Sequence, residues 1–193
     1  MTTMLVPPPL AFDLEAAKKA TKEWSFSCGP LSLAALIGLR PEEVHEKIGR
    51  FKGYTGRRDM EDMLGRCGYL VLEKTPGKAL PIHWPAYGLV LIQFCGPWMI
   101  ERTTGMTVGS GRNARWACKH THWIAAQKKE RTIWVYDFNT GHWVPEPEWT
   151  AQIPALLAAQ DPERDGRYWA ATSWEIAKRL SDIAWQGKAR DWE

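Results

Sequence analysis

Hydrophobic positions follow two rhythms along this chain, and the change falls near Tyr69. Before it, apolar residues recur at helical spacing; after it, they gather in short aliphatic and aromatic runs. Asp13 to Ala20 places an Asp at a cap position ahead of Leu, Glu, Ala and Lys, and predicts a short helix. Lys22 to Ser27 reads as a loop. From Cys28 the run CGPLSLAALIGL has its Pro in a first turn, where a missing N–H is tolerated, and Gly38 as a stop. Because this run is apolar on nearly every face, it predicts a helix buried in the domain centre with Cys28 near its N-terminus. Pro41-Glu42-Glu43 opens a further helix to about Ile48, its acids placed to suit the helix dipole. Arg58 to Arg66 sets Met60, Met63 and Leu64 on one face before Gly68.

Beyond that point Tyr69 to Glu73, Gly88 to Phe94, His120 to Gln127 and Thr132 to Phe138 read as strands of one antiparallel sheet. The polar stretch Gln127 to Arg131 predicts a hairpin turn, and Asn139 to Gly141 a second one leading into His142 to Val144. Trp149 to Ala159 predicts a helix. From Arg167 the pattern suits either element: Tyr168, Ala170, Thr172, Trp174 and Ile176 alternate as in a strand, while Glu175 to Trp185 fits a helix. Gly105 to Arg115 reads as a Gly-rich basic loop with no strand-to-helix context for a phosphate cradle. The fold class is therefore α+β: a helical half, with a central Cys-bearing helix, packed on an antiparallel sheet. Residues 1–12 are expected to be an extended lead within a single domain spanning 1–193.

Composition narrows the function classes. With 193 residues, 45% apolar and 24% charged, the chain suits one core. Its formal net charge of +3 is scattered, so no dedicated nucleic-acid binding is expected. The apolar stretches, such as Leu31 to Leu39, are too short for a membrane span, and Met4 to Phe12 lacks a basic leader and is broken by Pro7, Pro8 and Pro9. A cytoplasmic location follows as the expectation, with four free cysteines, Cys28, Cys67, Cys95 and Cys118. The 12 Trp exceed ordinary usage and suit an aromatic core or a groove for an extended ligand.

Cys28 is the candidate nucleophile. At a helix start, unpaired N–H groups and the positive dipole lower a thiol pKa and can also hold an oxyanion. His122, in KHTHWIAA, begins one strand, and Asp137, in VYDFN, ends the next, so a hairpin brings an imidazole and a carboxylate together. Asn139, two residues on, shares the strand face and is the other candidate for orienting the imidazole; Asp137 is favoured, since Asn139-Thr140-Gly141 has turn chemistry.

The order Cys on a helix, His on a strand, acid on the following strand resembles the papain-like cysteine peptidases, most closely the compact bacteriocin-leader type and small bacterial or phage-encoded relatives. Cys28-Gly29-Pro30 with Ala34-Ala35-Leu36, His122-Trp123-Ile124-Ala125 and Tyr136-Asp137 carry the likeness, across roughly Trp24 to Trp143. The resemblance implies a Cys/His/Asp thiol hydrolase, peptidase or amidase, acting on a peptide or protein in a bacterial or phage-infected cell. Such peptidases usually place a Gln just before the Cys as an oxyanion donor, and no Gln lies upstream of Cys28. Lys22, Ser25 or a backbone N–H are the candidate substitutes. Loss of turnover, leaving a binding module that grips a peptide or host protein, is the alternative reading, and transfer of the thioester to an amine a third.

Other groups read more plainly. Cys118, His120 and His122 alternate along one strand face, but no CxxC or second His pair completes a zinc set, so neither metal nor cofactor is expected. His45, His83 and His142 read as surface or turn residues. Cys67, Cys95 and Cys118 read as structural, although Cys95-Gly96-Pro97 repeats the tripeptide of Cys28. Trp24 and Trp123, beside the thiol and the base, are the expected cleft aromatics.

Overall fold

A computed structural model describes residues 6–49, 55–76, 82–94, 121–159 and 168–179. Four helices come first: α1 (Leu14–Trp24), α2 (Cys28–Ile37), α3 (Pro41–Ile48) and α4 (Arg57–Arg66). Strands β1 (Tyr69–Pro76), β2 (Tyr87–Phe94), β3 (Thr121–Lys129), β4 (Thr132–Asp137) and β5 (His142–Pro145) follow, then helix α5 (Glu146–Ala159) and strand β6 (Tyr168–Lys178). The chain is α+β, and all pairings in its six-stranded sheet, ordered β1-β6-β2-β3-β4-β5, are antiparallel.

The helix ends follow local chemistry. Asp13 caps α1, its carboxylate accepting the Ala16 N–H at 2.8 Å. The helix then runs through Lys22, Glu23 and Trp24, which the sequence had suggested as loop, because those residues keep good propensity until Ser25. Ser25 turns left-handed at φ 58° and sends its N–H back to the Ala20 carbonyl, a role usually given to Gly. Gly38 does the same for α2 at φ 68°.

Both faces of the sheet are covered. On one, Leu89, Leu91, Trp123, Tyr136 and Trp174 pack with Phe26, Leu31, Leu33, Met60 and Leu64 of the helical half. On the other, Val90, Ile92, Ile124, Val135 and Val144 pack with Trp149 of α5. That double burial explains why β2 and β3 read as continuous apolar runs instead of alternating.

In the sheet half, too, the elements depart from the sequence reading. Lys128 and Lys129, read as part of the turn, belong to β3 and leave a two-residue turn in which Glu130 adopts φ 57°. The helix expected from Trp149 opens at Glu146, since Pro147 fits a first turn. The ambiguous tail is a strand, and it inserts between β1 and β2, with Val71 opposite Ile176 and Leu89 opposite Trp174. Within the lead, residues 6–12 are neither helix nor strand, and Phe12 is buried edge-on against Tyr136. No described helix is long and apolar enough to cross a membrane.

Candidate active site

Cys28 is the first residue of α2, and its neighbours explain how the helix start is held. Ser27 precedes it with extended backbone and makes no side-chain cap to the helix. Pro30 has no N–H, so the first turn presents the Cys28 and Gly29 N–H groups at the positive end of the dipole. Gly29 is required by close approach: a Cβ there would lie 2.4 Å from the Thr55 hydroxyl oxygen. Thr55 is buried, and its carbonyl accepts the Trp123 indole N–H at 2.9 Å.

Trp123 locks the strand that carries the imidazole onto the helix that carries the thiol. Its backbone N–H donates to Cys28 Sγ at 3.4 Å, and its carbonyl accepts the Ser32 hydroxyl at 2.9 Å. Cys28 and Ser32 are four residues apart on one helix face, so α2 grips both sides of a single strand residue. Replacing Ser32 by Ala is expected to lower unfolding free energy by about 1–2 kcal/mol, because the buried carbonyl loses its donor. Urea denaturation reads this directly, and an unchanged midpoint would mean that the clasp contributes nothing.

His122 and Asp137 meet across the β3–β4 hairpin. The His122 Nε2 lies 2.9 Å from Asp137 Oδ1, and both side chains are almost fully buried. With Nε2 engaged, Nδ1 is left for the thiol, to which the ring is hydrogen-bonded. Asp137 Oδ1 also accepts the Asn139 backbone N–H at 2.8 Å and its Nδ2 at 2.9 Å, while Oδ2 accepts the Trp149 indole N–H at 3.0 Å. Four donors thus converge on one carboxylate.

The electrostatics follow from this line of contacts. Burial resists ionisation of the Cys28 thiol, but the His122 charge and hydrogen bond and the Trp123 N–H outweigh it and bring the thiol below its ordinary value. Burial also resists the His122 imidazolium, yet Asp137 and Cys28 together hold His122 well above an ordinary histidine. For Asp137, burial is overcome by the His122 charge and the hydrogen bonds it accepts, leaving the carboxyl at about 2. These directions favour a thiolate–imidazolium pair backed by a carboxylate, the arrangement that attacks a carbonyl carbon and returns a proton to its leaving group.

The structure therefore brings Cys28, His122 and Asp137 together and assigns the orienting contact to Asp137, with Asn139 as its clamp. The two expected cleft aromatics need correction. The Trp123 side chain is 1% exposed and turned into the core, meeting Trp174 edge-on at 5.0 Å, because neighbours on a strand point to opposite faces and His122 takes the other one. Trp24 stacks on His45 at 4.7 Å and lies edge-on to Phe26, so it sits in the α1–α3 contact and His45 is more than a surface residue. Lys22 and Ser25 are exposed at the C-terminal end of α1, and among the described residues neither side chain bonds to Cys28, His122 or Asp137. The Cys28 and Gly29 N–H groups at the start of α2 are among the oxyanion donors that the described residues offer.

His83 and His142 are exposed, the latter with Nδ1 2.8 Å from the Thr140 carbonyl. Cys67 caps α4, and burial pushes its thiol up. Cys95, Cys118, His120 and the loop Gly105 to Arg115 lie outside the described residues, among which no cluster suited to a metal ion occurs. Sequence reasoning missed Thr55, Ser32 and Trp149 as supports. Compared with protein-family models and with curated proteins, the sequence matches none.

Proposed function

We propose that the protein is a thiol-dependent hydrolase, a peptidase or amidase of papain-like architecture, acting on a peptide or protein. The observation that carries this reading is the unbroken line from Cys28 through His122 to an Asp137 whose oxygens are both engaged. In the proposed reaction the Cys28 thiolate adds to an amide carbonyl, and the Cys28 and Gly29 N–H groups receive the oxyanion. Collapse breaks the C–N bond as the imidazolium gives its proton to the leaving amine. His122 then takes a proton from water, which attacks the thioester, releases the carboxylic acid and restores the thiolate. No metal or other cofactor enters these steps. A bacterial or phage-infected cytoplasm suits the reading, through the resemblance of the Cys-Gly-Pro helix and the His and Asp strands to small peptidases of that kind.

The test compares two cysteines in one molecule. Alkylation of Cys28 by iodoacetamide, followed by peptide mass spectrometry, is expected to stay fast well below pH 8, while Cys67, pushed the other way by burial, reacts only in more alkaline solution. Equal pH profiles for the two thiols would remove the basis of the proposal. The sequence supports a second reading, a binding module without turnover: no Gln stands upstream of Cys28. An activated Cys28 that never releases product from any peptide library would support that reading instead.

A further inference from the structure

We propose that Trp149 is a positioning residue of this relay: its indole N–H pins the second oxygen of Asp137, so that the first is held toward His122. The inference rests on the thiol-hydrolase reading above and adds a residue to it. A carboxylate turns readily about its last torsion, where wells are broad, and its two oxygens are chemically equal. Three donors crowd Oδ1, namely His122 Nε2 and both nitrogens of Asn139, and such a group keeps its setting only if the far oxygen is anchored too. Trp149 supplies that anchor at 3.0 Å, from a side chain with no exposure to solvent.

The indole packs against one neighbouring ring. Trp84 meets it edge-on, with ring centroids 5.6 Å apart and planes at 87°. Trp149 belongs to α5, whereas the thiol belongs to α2 in the helical half that covers the other sheet face. The relay therefore depends on elements from both sides of the sheet: α2 sets the sulfur, β3 and β4 set the imidazole and carboxylate, and α5 fixes the carboxylate's rotation. Without the indole N–H, Oδ2 would be a buried anionic oxygen lacking a donor, and Asp137 would turn to share Oδ1 donors between its oxygens.

The experiment uses Trp149→Phe, which keeps a ring but removes the donor, Trp149→His, which restores a ring N–H, and Trp84→Phe, which disturbs the same packing without touching Asp137. In Trp149→Phe, the Asp137 carboxyl, followed by carbon NMR, is expected to titrate about one unit or more higher than in the unaltered protein. Cys28 alkylation at pH 6 is expected to slow about tenfold. Trp149→His should recover part of both, and Trp84→Phe should leave both unchanged. Equal shifts in Trp84→Phe and Trp149→Phe, or unfolding of both Trp149 variants while Trp84→Phe folds, would overturn the proposal in favour of a packing role. If Cys28 of the unaltered protein is not activated, the hydrolase reading fails first; an activated Cys28 that is indifferent to Trp149→Phe sinks this inference alone.

Discussion

Cys28→Ala is expected to abolish hydrolysis and low-pH alkylation while leaving a folded protein. The loss of turnover should be complete within detection, since no other described thiol lies on a hydrogen-bonded imidazole; Cys67, the other described cysteine, is a helix cap whose thiol burial pushes up. Stability should change little. Removing the sulfur leaves the Trp123 N–H without its acceptor at 3.4 Å, which costs about 1 kcal/mol, and the Ser32 and Thr55 contacts to Trp123 stay in place. One further result distinguishes a relay from a chance neighbour. Two negative partners raise His122, Asp137 and the Cys28 thiolate, so deleting the thiolate should move the His122 titration downward in ring-proton NMR. An unmoved His122, or persistent selective labelling at pH 6 in the variant, would contradict the assignment.

The site's reacting atoms were legible because each leaves a local mark. A Cys followed by Gly and Pro at the head of an all-round apolar run declares a buried helix start, and a two-strand hairpin places His122 and Asp137 within reach whatever the rest of the fold. Their supports leave no such mark. Trp149 is one Trp among 12, and nothing in its neighbourhood distinguishes a donor to Asp137 from a core residue. Thr55 acts through its carbonyl and through steric fit against Gly29, and neither has a residue-type signature. Ser32 was readable in part, as the one polar side chain inside an apolar helix that must find a buried partner.

Topology was legible only as far as element type. The alternation of Tyr168 to Ile176 marks a strand, but its place between β1 and β2 depends on long-range pairing, which periodicity does not encode. The pleat excludes the Trp123 ring from the cleft: successive strand residues face opposite ways, so the side chains of His122 and Trp123 cannot both line it. What Trp123 gives the site is its backbone N–H and carbonyl, held against α2, while its indole N–H ties the strand to Thr55 from the core side.

Asp137→Asn is expected to have an effect on turnover second only to loss of the sulfur, with a rate fall of about 10³-fold or more, because the amide cannot support the imidazolium and upsets the ring tautomer. Its cost to folding follows from counting donors. The carboxylate accepts three hydrogen bonds at Oδ1 and one at Oδ2. An Asn amide offers one accepting oxygen, so either the Trp149 N–H or the His122 and Asn139 donors face an NH₂ group in a fully buried setting. A loss of about 3 kcal/mol at neutral pH is expected. Acid should reveal the same carboxylate. Its pKa falls from 3.8 to about 2 on folding, so its contribution is present above about pH 4 and disappears as pH drops toward 2. That linkage amounts to about 2–3 kcal/mol for a group with no solvent exposure. Urea unfolding at a series of pH values should therefore show a slope in the unaltered protein between about pH 4 and pH 2 that Asp137→Asn lacks. Parallel curves for the two proteins would mean that folding does not lower the Asp137 pKa, and that the donors around it give the carboxylate no net preference.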